Sequence, residues 1–284
     1  MAKHKDKIDL IKETHPDLII NELRFIESGF HSLAIVVNGQ FVFRFPLSRE
    51  FFDEYVKENK ILHIIRPYIS AKVPQTTLYN KNGMIFTKHV LIDGIQFSKT
   101  KTLTPTQKNK LAEQIAQFLV QLHGIRSDKI DRTPFKIWEY IIYSDMDETL
   151  LHLPATFHED FKKTVDLFYE QENTLQNSNQ VVSHNDFNEN NFLIDKADTL
   201  QGVIDFGDAG KRDFSAEFAP LMKFDMDFTL NIVTRYEQLS NRKVNLMYAF
   251  LMQKIKCYAG MLELPEKQDI YKRWLEYLQT SFDM

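Results

Sequence analysis

The sequence contains a single cysteine, Cys257, so no disulfide can form within the chain. That excludes the cross-linked scaffold of small secreted domains and leads us to expect a reducing compartment. No apolar run approaches the length of a membrane span. Excess positive charge is also lacking: 35 Lys and Arg stand against 39 Asp and Glu, a formal net charge of -4. A general nucleic-acid binder should be basic, so nucleic-acid and membrane partners are both set aside. The amino terminus, Met1-Ala2-Lys3-His4-Lys5-Asp6-Lys7, has no apolar signal-peptide core, and a cytoplasmic protein is expected. Repeats and low-complexity segments are missing too. What is present, over 284 residues, is 43% hydrophobic and 26% charged, enough for a sizeable core in one large domain or two lobes. Phenylalanine is unusually common at 23 residues, which points to aromatic packing.

The most informative stretch is Ser183-His184-Asn185-Asp186-Phe187-Asn188-Glu189-Asn190-Asn191. Fourteen residues past Asn191, two short apolar segments later, comes Asp205-Phe206-Gly207. Phosphoryl transfer by a kinase needs such groups in this order. One carboxylate accepts the hydroxyl proton of the acceptor, while an Asn and a second carboxylate hold magnesium. An isolated His-x-Asp is a polar turn as readily as a site. The full string, joined to a strand ending in Asp-Phe-Gly, is far more specific.

The stretch from Val182 to Ala219 resembles the aminoglycoside phosphotransferase family, a branch of the protein-kinase-like fold. His184-Asn185-Asp186-Phe187 and Gly202-Val203-Ile204-Asp205-Phe206-Gly207-Asp208-Ala209 are similar to the branch that modifies the 2''-hydroxyl of aminoglycosides. The resemblance implies Asp186 as catalytic base, Asn191 and Asp205 as magnesium ligands, and ATP or GTP as donor. It also implies that His184 and Asp213 are structural supports of the catalytic loop. The implied fold is α+β and two-lobed. A small antiparallel-sheet lobe with one key helix spans 1–92, and a larger, mostly helical lobe spans 93–284.

Strand-like segments run over 18–27, 33–37 and 41–45, after a helix over 5–14. The turn at Ser28-Gly29 falls where a kinase covers the phosphates, although one glycine also suits an ordinary hairpin. In the third strand Phe41, Phe43 and Phe45 share one face and Val42 and Arg44 the other. Val42 would roof the nucleotide base and Arg44 would meet the phosphates. A helix over 50–65 puts Glu58 in the apolar stripe of Phe51, Tyr55, Leu62 and Ile65. A buried carboxylate without a partner is costly, and Arg44 is the expected partner. Kinases use such a pair, but with Lys on the strand; Arg instead offers a planar, bidentate fork. Further strands are expected over 73–79 and 84–89, joined by Asn80-Lys81-Asn82-Gly83. The resemblance implies purine contacts from the backbone near Thr87, His89 and Val90, and leaves ATP versus GTP open.

In the second half, Thr104-Pro105-Thr106-Gln107 reads as a capped helix start with Gly124 at its end. Helices are expected over 137–150, 157–170, 215–223, 228–239, 244–261 and 267–278. His123 reads as a satisfied core residue. Phe214 and Glu217 depart from the family pattern, which usually has Pro and Asp there.

The acceptor is a small molecule bearing a hydroxyl, cationic ones included. A polycation needs carboxylates, and the candidates are Asp145, Asp147 and Glu148, with Asp225 and Asp227. Both clusters lie near predicted helix starts, where acidic residues also serve the helix dipole. Three readings follow: an aminoglycoside phosphotransferase-like kinase; a metabolic kinase for choline, an amino alcohol, homoserine or a thiosugar; and a nucleotide-binding pseudoenzyme, supported only by Arg44.

Overall fold

The computed structural model describes residues 2–27, 31–100, 103–176 and 179–281. Ser28 and Gly29, expected over the phosphates, lie outside the described residues. The first lobe is an antiparallel sheet of β1 (Leu23–Ile26), β2 (Ser32–Val37), β3 (Phe41–Pro46), β4 (Thr77–Lys81) and β5 (Met84–Val90), ordered β1-β2-β3-β5-β4. Register opposes Ile35 to Phe43 and Leu33 to Phe45, so these side chains share one face. With Val37, Phe86 and Ile11 of helix α1 (Lys5–Thr14) they form the lobe's core. The opposite face carries Val42, Arg44, Thr87 and His89, set by the pairs Val42↔His89 and Arg44↔Thr87. Helix α2 (Phe52–Ile65) buries Tyr55, Glu58, Ile61, Leu62 and Ile65.

Four strand and helix expectations change. The first strand covers four residues, not ten, because the Asn38 side chain ties down the chain before it. Its Oδ1 accepts from Asn21 and Glu22 N–H at 2.8 and 3.0 Å, and its Nδ2 donates to the Ile19 carbonyl at 2.7 Å. The strand expected from Val73 starts at Thr77, since Pro74 has no N–H and Lys72 is bonded elsewhere. The helix expected over 137–150 breaks into α4 (Ile137–Tyr140) and α5 (Met146–His152). Asp145 caps α5 by accepting from Glu148 N–H at 2.9 Å, and Glu148 accepts in return from Ser144 N–H and Oγ–H. The segment read as helix over 215–223 is a 3-10 turn, Phe214–Phe218, followed by the single turn α7 (Ala219–Met222).

The second lobe is built on α3 (Pro105–Gly124), α6 (His158–Thr174), α8 (Met226–Ser240), α9 (Leu246–Glu263) and α10 (Gln268–Ser281). Thr104 and Gln107 form the full capping box at the start of α3. Two small sheets carry the site: β7 (Gln180–Ser183) with β10 (Gly210–Asp213), and β6 (Ile95–Gln96), β8 (Phe192–Ile194) and β9 (Leu200–Val203). The lobes share apolar contacts, because Ile61, Leu62, Ile65 and Val73 join the cluster built on α3, β7, β8 and α8. They are also tied through the backbone. Lys72 donates to Gln201 at 3.1 Å and accepts from Val203 at 2.9 Å, and a Cβ on Gly202 would come within 2.6 Å of the Lys72 carbonyl. No helix among the described residues is long and apolar enough to cross a membrane.

Candidate active site

Strand β7 ends at Ser183, and the chain turns through Asn185 in the left-handed region, φ 68°. Short polar side chains tolerate that region, and the turn projects Asp186 into the cleft. Two amides hold the Asp186 side chain: Oδ2 accepts from Asn188 Nδ2 at 2.9 Å and from Asn191 Nδ2 at 3.0 Å. The Asn191 nitrogen also donates to the Asp186 carbonyl at 2.8 Å, so its Oδ1 is the atom left for a cation. The neighbouring Phe187 is fully buried and pins the loop to the core. Burial pushes the Asp186 carboxyl above its ordinary pKa; Lys256 opposes the rise and Asp208 adds to it.

Asp205 follows β9 with φ 68°, a backbone conformation uncommon for a residue with a side chain. Its carboxylate is half exposed. Ile204 N–H donates to the Asn191 carbonyl at 2.8 Å, which joins the two segments directly. Asn191 and Asp205 thus offer hard oxygen donors in one place, the type magnesium takes while keeping several waters. Among the described residues no group of three or more His, Cys, Asp and Glu could enclose a metal.

Arg44 reaches this site from β3. Its Nη1 donates to both Glu58 oxygens at 2.8 and 2.9 Å, and its Nη2 donates to Asp205 Oδ1 at 3.0 Å. The guanidinium gives each carboxylate its own nitrogen, whereas a lysine would have to share one ammonium between them. Tyr55 lies beneath, with its ring centre 5.6 Å from the guanidinium. Burial alone would lower the Arg44 pKa, but the Glu58 and Asp205 carboxylates override it and raise it. Glu58 Oε1 also accepts from Phe206 N–H at 3.1 Å, fixing the Asp205 segment to α2.

On the same sheet face Val42, Thr87 and His89 are buried. Thr87 is paired on both sides, to Arg44 in β3 and Leu78 in β4, so its hydroxyl rather than its backbone is left over. Pairing with β4 stops at Lys88, and beyond it His89 and Val90 are paired only to β3. His89 Nδ1 lies 2.9 Å from the Val90 carbonyl, and burial lowers the imidazole pKa.

The support under this loop is Glu217, which stands out in the sequence only as a departure from the family pattern. Glu217 is buried and accepts from His184 N–H at 2.7 Å and Asn185 N–H at 3.1 Å. His123 stands 3.4 Å away on its other side and contacts the Tyr236 hydroxyl at 2.8 Å. Burial would raise the Glu217 pKa, but the bonds and charge of His123 and His184 win and hold it low. His184 Nε2 lies 2.9 Å from the Ile204 carbonyl, tying the loop to the chain just before Asp205. Asp213 acts one step back: it accepts from Ser215 N–H at 2.9 Å and caps the 3-10 turn that carries Glu217. A carboxylate in the apolar run Phe214 to Leu221 is the same signal that singled out Glu58.

The acidic candidates for an acceptor pocket have other engagements. Asp145 and Asp225 are helix N-caps, Glu148 closes on Ser144, and Asp225 also pairs with Lys108 of α3. Asp147 and Asp227 stand in the first turns of α5 and α8. The groups coupled to Asp186 are instead Lys256 of α9, Asp208 and Tyr140 of α4.

A small antiparallel sheet lobe, a strand cation paired to a helix glutamate, and two carboxylate segments facing it across a cleft define a protein-kinase-like phosphotransferase architecture. The sequence pattern of the phosphotransferase enzyme family matches residues 22–249, and the chain belongs to that family. Membership makes it a phosphotransferase. Solved structures agree in fold. The GDP and kanamycin complex of APH(2")-IIia is 22% identical, covers 97% of this chain and 98% of its own, and superposes with a TM-score of 0.80. ADP-bound aminoglycoside phosphotransferase APH(2'')-Ib is 22% identical over 96% of this chain and 97% of its own, with a TM-score of 0.61. Macrolide 2'-phosphotransferase type I is 17% identical over 99% and 96%, with a TM-score of 0.70.

Proposed function

We propose that this chain transfers the terminal phosphate of ATP or GTP to a hydroxyl of a small molecule bound over Asp186. The observation that carries this reading is the contact set that links Asp186, Asn191, Asp205, Arg44 and Glu58 across one cleft. Asp186 accepts the hydroxyl proton as the acceptor attacks, and its two amide donors keep the carboxylate aimed. Arg44, fixed by Glu58, steadies the donor phosphates beneath Val42. Purine contacts come from His89 and Val90, whose strand edge is unpaired toward β4, with Ser28 and Gly29 assigned to the phosphate cover. Asn191 and Asp205 hold Mg2+, which when bound neutralises charge on the phosphates. The reading places the enzyme in the cytoplasm.

For the acceptor, similar folds bind kanamycin in one case and act on macrolides in another. Aminoglycosides are therefore the first acceptors to try. A second reading, a metabolic acceptor such as choline, an amino alcohol, homoserine or a thiosugar, draws on one observation. Three of the five acidic candidates are committed to helix capping.

The test is transfer from Mg-ATP and Mg-GTP, in parallel, to a panel of aminoglycosides, macrolides and neutral polyols, with no-acceptor controls. Replacing Asp186 with Ala should lower turnover by roughly 10²–10⁴-fold while nucleotide affinity stays near wild type. Unchanged turnover in Asp186→Ala would remove the base assignment.

A further inference from the structure

Helix α9 is apolar almost throughout, and only Lys254 and Lys256 bring positive charge into its middle. Lys254 is explained by its ion pair with Asp160 at 2.6 Å. Lys256 is not. It forms no ion pair among the described residues, and its one hydrogen bond is a long 3.4 Å donation to the Asn185 carbonyl. Its ammonium also lies 5.6 Å from the centre of the Tyr140 ring. An ammonium carries three donors, and the half-buried Lys256 engages only one of them, weakly, within the protein. The charged groups around it are Asp186 and Asp208 from the catalytic and Asp205-containing segments, with Arg212 of β10 and Lys223 beyond α7. An anionic oxygen between Lys256 and Asp186 would satisfy the idle donors.

The position of Arg44 sharpens the point. Both of its terminal nitrogens are engaged by carboxylates, Glu58 and Asp205, so the strand cation is already neutralised by protein. The side of the cleft nearest the base needs its own positive charge if negative charge is to build up there.

We propose that Lys256 is a further catalytic residue, whose ammonium contacts the non-bridging oxygens of the phosphoryl group as it passes to the acceptor held at Asp186. The inference rests on the phosphotransferase reading above. The acceptor oxygen forms a bond to the terminal phosphorus as the bond from that phosphorus to its bridging oxygen breaks. The nucleoside diphosphate leaves with the electron pair, and the hydroxyl proton passes to Asp186. Lys256 keeps its protons throughout and donates hydrogen bonds. A preorganised donor of this kind contributes on the order of 10²–10³ in turnover.

The test uses water as acceptor, so no substrate need be known. Mg-ATP and Mg-GTP hydrolysis is measured for wild type, Lys256→Met, Lys256→Arg and Asp186→Ala, alongside nucleotide affinity and thermal midpoint. Lys256→Met should lose roughly 100-fold in turnover with nucleotide affinity within about threefold, and Lys256→Arg should recover at least about tenfold of that loss. A second arm needs no turnover. Trace acetylation of wild-type protein, read by mass spectrometry, should show Lys256 protected at least about tenfold by Mg2+ with the β,γ-imido analogue of whichever of ATP and GTP binds, while exposed Lys12 of α1 is unaffected. Unprotected Lys256 overturns the proposal. So does a Lys256→Met turnover near wild type, or a parallel loss of turnover and nucleotide affinity. Wild-type hydrolysis no faster than Asp186→Ala would instead overturn the transfer reading itself, and the acetylation arm would still report on Lys256.

Discussion

Replacing Glu217 by Gln perturbs the catalytic loop without altering any group assigned to donor or acceptor. The carboxylate accepts two backbone N–H groups, His184 at 2.7 Å and Asn185 at 3.1 Å, and faces His123 at 3.4 Å. Glutamine keeps one acceptor oxygen and turns an NH2 toward the other N–H. Hydrogen bonds to a charged group contribute about 1.5–3 kcal/mol each, and a buried donor left unpaired costs about 1–3 kcal/mol. We therefore expect a loss of about 3 kcal/mol in unfolding free energy, roughly 150-fold in the folded-to-unfolded ratio. Urea unfolding at neutral pH measures it. Turnover should fall by about tenfold or more, because Asp186 follows directly on the loosened peptides, while nucleotide affinity changes little. The pH dependence supplies a second check. The folded pKa of Glu217 is depressed, so its stabilisation is fully present above the unfolded value of about 4.3 and is lost as pH falls through the folded value. Wild type and variant should therefore converge in acid. A stability within about 0.5 kcal/mol of wild type at neutral pH, with unchanged turnover, would refute the reasoning.

Arg44→Lys should keep the Glu58 ion pair, lose the bond to Asp205 and retain turnover within about tenfold, whereas Arg44→Met should lose about 100-fold in kcat/KM. Glu58→Gln should lower turnover less than Asp186→Ala does, and steady-state kinetics that show no change in turnover or nucleotide affinity would disprove the clamp. Gly202→Ala places a methyl 2.6 Å from a backbone oxygen, so a shift of the denaturation midpoint equivalent to about 1–3 kcal/mol is expected. Thr104→Ala removes a capping box and should cost about 1 kcal/mol in chemical denaturation with turnover unchanged.

The string from His184 to Asn191 stands out in the sequence by its spacing, and the Arg44–Glu58 pair was legible because it breaks a local rule in a readable way. A carboxylate in an apolar helical stripe requires a partner, and alternation along β3 puts the only cation on the facing side. The same rule applied to Glu217 and Lys256 would have found both; they sit in apolar runs whose partners lie 30 or more residues away. The helix breaks were harder to read. Asp145 and Glu148 look like pocket carboxylates until their hydrogen bonds, to each other and to Ser144, show a cap. The bond from Arg44 to Asp205 joins residues 161 apart and leaves no local trace, and the same holds for the tether of Lys72 to β9.

That tether limits how the cleft can breathe. The lobes are joined covalently between β5 and β6 and stapled again at Lys72. Two fixed points leave two rigid bodies a single freedom, rotation about the line between them. A third point off that line removes it, and Arg44, Glu58 and Lys57 provide one by gripping Asp205, Phe206 and Gly207. Opening the cleft therefore requires all three of these ties to part, not the Arg44–Asp205 bond alone.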